Sequence, residues 1–240
     1  MINNPQLDEI IKQSRWNYRH GAAFTKIMVG GGVASDFDPL EVIEYTPKEI
    51  EAAVQIASDN KTYCTIHAYR DDAINRALDA GVKCVEHGFL MSEETVKRLA
   101  REKIVLSLQG YVSAVQFAHP EVVPWFSPEQ IRKATQVHQG ALQMIQWAKK
   151  HNVFMVSGGD MFAENTDIAK KNLTIETTFG FKPWEILQHA TLNAGKVLAM
   201  SGPARNPYRV GPIGVLKVGA YADMLIWEKS PLEDIENIIP

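Results

Sequence analysis

The chain is poor in several features that would place it at once. It has only two cysteines, Cys64 and Cys84, and no Cys-x-x-Cys pair. A disulfide framework is therefore not its organising device. Both cysteines sit inside apolar runs and read as buried free thiols of a reducing compartment, with a bridge between neighbouring strands as the awkward alternative. No apolar run approaches the ~18 residues of a membrane span. A net charge of -3 leaves no basic footprint for nucleic acid and no polybasic patch for a membrane surface. Met1-Ile-Asn-Asn-Pro-Gln6 lacks the charged-then-apolar layout of a signal peptide, so the expected location is cytoplasmic. Neither GxGxxG nor GxxxxGK[ST] occurs, and a doubly wound nucleotide binder is a weak reading although Gly30-Gly-Gly32 follows a strand-like run.

What is present is a repeating alternation. Thr62-Tyr-Cys-Thr-Ile-His-Ala-Tyr69 and Val82-Lys-Cys-Val-Glu-His-Gly88 are short apolar runs that each end near a histidine, with a helix-like segment 71–80 and the Gly81 stop between them. The same pattern extends both ways. Helices are expected over 7–20, 47–58, 71–80, 93–101 and 128–150, and strands over 24–29, 62–67, 82–86, 103–108 and 152–157. Thr46-Pro-Lys-Glu49 and Ser127-Pro-Glu-Gln130 carry a cap residue, proline at the first helical position and an acid or amide three residues after the cap. Residues 109–127 read as a long irregular loop or lid. Further helices are expected at 165–178, 183–190 and 191–200. The tail from 201 is rich in proline and glycine, with strand character returning at Ala222-Asp-Met-Leu-Ile-Trp-Glu228.

Alternating strands and helices imply parallel strands with right-handed crossovers. A doubly wound sheet and a (β/α)8 barrel both fit the alternation. The chemistry-bearing residues favour the barrel, because Lys26, His67, His87 and Asp160 all belong to strands or their carboxyl ends. Adjacent parallel strands lie ~4.8 Å apart, so imidazoles at His67 and His87 can share a metal ion at ~2.0–2.1 Å. Each residue alone also has a structural explanation: a hydrogen-bonded strand-end histidine, a helix-capping Asp160, a Lys26 that snorkels to the rim.

The motifs Lys26-Ile-Met-Val-Gly-Gly-Gly-Val-Ala-Ser35, Ile66-His-Ala-Tyr-Arg70, Gly81-Val-Lys-Cys-Val-Glu-His-Gly88, Ser157-Gly-Gly-Asp160, Ala190-Thr-Leu-Asn-Ala-Gly195 and Gly214-Val-Leu-Lys-Val-Gly-Ala-Tyr-Ala-Asp223 resemble, in this order, the metal-dependent amidohydrolase superfamily, in its imidazolonepropionase-like and Xaa-Pro/Xaa-Arg dipeptidase branch. The resemblance implies an incomplete amidohydrolase-type TIM barrel of about strands 4–8 in residues 1–200, and the carboxyl-terminal strands of a small β-sandwich in 201–240. It implies one or two divalent ions, zinc foremost. Lys26 would be carboxylated by CO2 to a bridging carbamate, His67 and His87 would hold the second metal, and Asp160 would ligate the first and act as general base, then acid. Tyr69 would polarise the substrate carbonyl, Arg70 would meet a substrate carboxylate, and Ser35 with the preceding glycines would line the pocket. The remaining histidines, His20, His119, His138, His151 and His189, match no ligand position.

The substrate class implied is a small-molecule amide or dipeptide: a dipeptide or N-acyl amino acid in the first place, a cyclic amide such as imidazolonepropionate as the alternative. The resemblance also calls for a His-x-His pair, and the sequence has none. The chain therefore reads as amino-terminally truncated relative to the family. From that follow a reading of another class, an inactive fragment that associates with a partner chain, and an expectation of homo-oligomers or association through exposed barrel edges.

Overall fold

The computed structural model describes residues 5–160 and 171–239. The body is a repeating unit: α1 (Pro5–Arg19), β1 (Thr25–Met28), α2 (Pro47–Asp59), β2 (Cys64–Arg70), α3 (Asp71–Asp79), β3 (Cys84–Leu90), α4 (Glu93–Glu102), β4 (Val105–Leu108), α5 (Pro128–Lys150) and β5 (Phe154–Ser157). The five strands form one parallel sheet in the order β1-β2-β3-β4-β5. Doubly wound sheets reverse their strand order at a switch point. Here each strand pairs with the next in sequence, so the crossover helices fall on one face, as in a barrel.

Local chemistry explains the helix ends. Glu49 accepts the backbone N–H and the hydroxyl of Thr46, each at 2.8 Å, to start α2. Ser127 and Gln130 close a reciprocal capping box at α5. The turns that lead from the crossover helices α2, α3, α4 and α5 into the strands hold Lys61, Gly81, Lys103 and Asn152 in the left-handed region, with φ of 60°, 96°, 56° and 54°.

Alternation along the strands separates two environments. Ile66, Ala68, Val85, Leu106, Leu108 and Met155 face the helices and join Ile74, Val96, Leu99 and Met144 in the main core. On the opposite face Tyr63, Cys84, Val105 and Val156 form a smaller apolar layer, and Thr65, Glu86 and Ser107 form a polar layer nearer the carboxyl ends. Both cysteines are buried and free. Burial pushes the Cys64 thiol up to about 12.

Four expectations are corrected. Residues 109–127 are not simply irregular: a π-helical turn spans Val112–Gln116 and a 3-10 turn Pro120–Val122. Of the helix expected over 165–178, residues 165–170 lie outside the described residues, and the rest is one α turn, α6 (Lys171–Thr174), continued as 3-10 to Phe179. After α7 (Pro183–Gln188), the helix expected over 191–200 opens as a π-helical turn, His189–Asn193, and becomes α8 (Ala194–Ala199). The strands expected over 222–228 do not form. That segment joins no ladder, and Met224, Leu225 and Ile226 stand exposed. An apolar run with strand preference stays irregular when no neighbouring strand takes its backbone groups.

Candidate metal and catalytic site

The candidate residues fall at the carboxyl ends of the strands. By alternation along β2, His67 shares the inner face with Thr65 and is buried. In β3 the same count places Val85 toward the helices, Glu86 inward and His87 toward the helices again. His87 does not follow it. Its φ is 71°, and the β2–β3 register shifts between Ala68 and Arg70. The left-handed turn brings the imidazole back beside His67, with ring centroids 4.6 Å apart at 71°. Such a conformation costs a non-glycine residue roughly 1–2 kcal/mol and concentrates at functional sites.

Asp160, after β5 and Gly158-Gly159, repeats the device with φ 50°. Its Oδ2 lies 3.9 Å from His87 Nε2. Tyr69 closes the cluster, its ring 5.0 Å from His67 and 5.3 Å from His87. It is buried rather than at the rim, and desolvation raises its phenol, which therefore keeps its proton.

Both imidazoles are held neutral. Burial lowers the His67 pKa, opposed by its contact with the Gly31 carbonyl and reinforced by the Lys26 charge. Burial lowers His87 well below the usual value, with His67 and Lys26 adding to it and the Gln109 amide opposing. Neutral imidazole is the metal-binding form. His87 Nδ1 is buried and makes no hydrogen bond among the described residues. An imidazole with one buried nitrogen unpartnered, its other nitrogen facing a carboxylate and its ring beside a second imidazole, suits a divalent cation. Among the described residues, no three His, Cys, Asp or Glu side chains already stand at ligand distances.

The loop after β1 supplies the wall of the site. His67 Nε2 stands 3.3 Å from the Gly31 carbonyl oxygen, and a Cβ on Gly32 would come within 3.6 Å of the same nitrogen. Lys133 of α5, fully buried, secures this loop by donating to the carbonyls of Gly32 at 2.7 Å, Asp38 at 3.0 Å and Ser35. Ser35 thus contributes its backbone to the clamp, and its residue is exposed.

Lys26 lies exposed on β1, an edge strand of the sheet. Arg70, 38% exposed at its side chain, has its Nε 3.7 Å from Asp72 Oδ1. The remaining histidines make other contacts. His138 contacts the Ser113 carbonyl, His151 pairs with Glu93, exposed His119 pairs with Glu121, and His20 stacks on Trp16. His189 is buried with its Nδ1 2.8 Å from Glu176, whose other oxygen accepts the Ser157 hydroxyl at 2.5 Å. Sequence reasoning missed the Thr65–Glu86–Gln109–Ser107 network and the Lys133 clamp. An acid at 86 inside an apolar strand was the visible signal for the first.

The family profile described as Amidohydrolase family matches residues 6–240. Ochratoxinase of Aspergillus niger is 27% identical over 234 residues, which covers 96% of this chain and 46% of that protein. A crystal structure of a prolidase complexed with N-methylphosphonate-L-proline superposes with a TM-score of 0.86 at 29% identity, covering 98% of this chain and 55% of the other. The crystal structure of A. niger ochratoxinase superposes with a TM-score of 0.81 at 27% identity, covering 96% and 50%. The chain spans about half the length of the curated relatives it matches. No described helix is long and apolar enough to cross a membrane. With its unreversed parallel sheet and a family match over nearly its whole length, the chain belongs to the amidohydrolase family.

Proposed function

We propose that this chain carries part of a metal-dependent amidohydrolase site that hydrolyses the amide or peptide bond of a dipeptide or N-acyl amino acid. The convergence of His67, His87 and Asp160 carries this reading, two of the three in left-handed backbone at the carboxyl ends of strands. The prolidase and ochratoxinase relatives favour an amide substrate. His67 and His87 would hold one divalent ion, zinc being suited to paired imidazoles. Asp160 and a carboxylated Lys26 would hold a second. A bound ion supplies Lewis acidity at the amide carbonyl and an acidified water. Asp160 would serve as general base toward the attacking water and as general acid toward the leaving amine. Tyr69, protonated, donates a hydrogen bond to the carbonyl oxygen, and Arg70 meets a substrate carboxylate.

In the same reading residues 1–200 are the barrel portion and 201–240 the carboxyl-terminal part of a small β-sandwich. Among the described residues β1 and β5 join the sheet on one side only, and these edges would take up further strands by association.

Metal analysis of the purified chain, followed by assay on Xaa-Pro dipeptides and N-acyl amino acids, tests the proposal. The expected result is a divalent ion that the His67→Ala/His87→Ala double variant loses, with any hydrolysis abolished by Asp160→Asn. Retention of the metal by the double variant would overturn the assignment. Metal binding without turnover would favour the fragment that works only with a partner chain.

A further inference from the structure

β4 ends without a candidate ligand, yet the residue after it contacts one strained residue and packs beside the glycine that leads to the other. Gln109 is buried at 3% exposure. Its Oε1 accepts the backbone N–H of His87 at 3.1 Å. Its Nε2 donates to Glu86 Oε2 at 3.1 Å and to Ser107 Oγ at 3.0 Å. Glu86 is fixed in turn by the Thr65 hydroxyl, which donates to Oε1 at 2.8 Å. On the far side, Gly158 leaves room for the amide: a Cβ there would stand 2.7 Å from both Gln109 Nε2 and Ser107 Oγ. The Gly158 N–H donates to the Leu108 carbonyl at 2.7 Å. One side-chain amide therefore ties the end of β3 and packs against the segment that leads to Asp160.

The physical consequence concerns the backbone of His87. Extended backbone would aim its imidazole at the helices. The left-handed turn aims it at His67, and the residue's own buried N–H, where the β3–β4 pairing ends, has a side-chain acceptor. Gln109 supplies that acceptor, and the Glu86 and Ser107 contacts leave its amide one orientation, with oxygen toward His87. We infer that Gln109 is a positioning residue, whose side-chain amide holds the His87 backbone in the left-handed region and so keeps the imidazole beside His67 and Asp160. Its importance for metal binding rests on the function proposed above; its hold on the backbone does not.

Two readouts on the full chain separate these. Without metal, NMR measures amide exchange at His87. Gln109→Met keeps the volume and removes the acceptor, and is expected to speed His87 exchange roughly a hundredfold while leaving the neighbouring ladder amide of Val85 unchanged. The Glu86→Gln/Gln109→Glu swap restores every donor–acceptor pair at unchanged charge, and is expected to return exchange to near the wild-type rate. With Co2+ as the probe, followed by its visible absorption, Gln109→Met is expected to bind at least about tenfold more weakly and the swap to recover. Unchanged His87 exchange in folded Gln109→Met overturns the inference. So does an unprotected His87 in the swap, which decides the matter if Gln109→Met does not fold. A wild-type chain that binds no Co2+ overturns the functional reading, while the exchange result still judges the role of Gln109.

Discussion

His87 Nε2 stands 3.9 Å from Asp160 Oδ2, and these two are the described non-glycine residues whose left-handed backbone does not follow a helix. Lys61, Lys103 and Asn152 share the conformation but each terminates a helix, where it is ordinary. At His87 and Asp160 no helix end accounts for it.

That relationship predicts an inversion of the usual ranking at both positions. Glycine in a strand is normally weaker than alanine, yet it accepts φ of 71° or 50° without penalty. His87→Gly is expected to be more stable than His87→Ala by about 1 kcal/mol, and Asp160→Gly more stable than Asp160→Ala by a similar margin. Urea unfolding of the four variants checks this; alanine equal to or above glycine at both sites would refute it.

Stability should depend on pH through the two buried imidazoles. Their pKa values are lowered by folding, so the unfolded chain binds more protons below its own histidine pKa of about 6.5. The stabilisation is complete above that pH and declines as pH falls toward the folded values, by up to ~1.4 kcal/mol per unit for each imidazole. Urea midpoints of the metal-free chain between pH 5 and 8 should show the decline, and the His67→Gln/His87→Gln variant should flatten it.

Gly140 lies within α5, where alanine would ordinarily be preferred. A Cβ there would stand 2.5 Å from the Phe89 carbonyl oxygen and from Leu90 Cδ2 on β3. Gly140→Ala is expected to destabilise by about 1–3 kcal/mol, measurable as a lowered melting temperature. A neutral or stabilising effect would mean that α5 and β3 are not in this close contact.

The two thiols should be inert in the folded chain. Cys64 is buried with its pKa pushed up to about 12, and Cys84 is shifted further in the same direction by burial and by Glu86. Labelling by a disulfide reagent at pH 8 should run roughly a thousandfold slower than after denaturation. Equal rates in the two states would contradict their burial.

The alternation of the body was legible because it rests on local signals. The capped start at Thr46, the stop at Gly81 and the apolar runs at Cys64 and Cys84 are read within a few residues. The strand-end positions of His67 and Asp160 follow from the same pattern. The inward turn of His87 does not, since strict alternation points it the other way and only its φ corrects this. Gln109 and Lys133 were invisible for a different reason. Their partners lie 22 and 101 residues away, and no window of sequence contains both ends of such a contact. The tail at 222–228 misled because strand preference predicts a shape, whereas a strand also needs a neighbour.

The unreversed order of the five strands has a kinetic side. Each β strand pairs with its predecessor in the chain. No pairing waits for a strand from further along the chain, so the contacts are as local as parallel crossovers allow. The sheet can assemble by accretion, each unit using its predecessor as template, and its margins at β1 and β5 can accept another strand without breaking a pair already made.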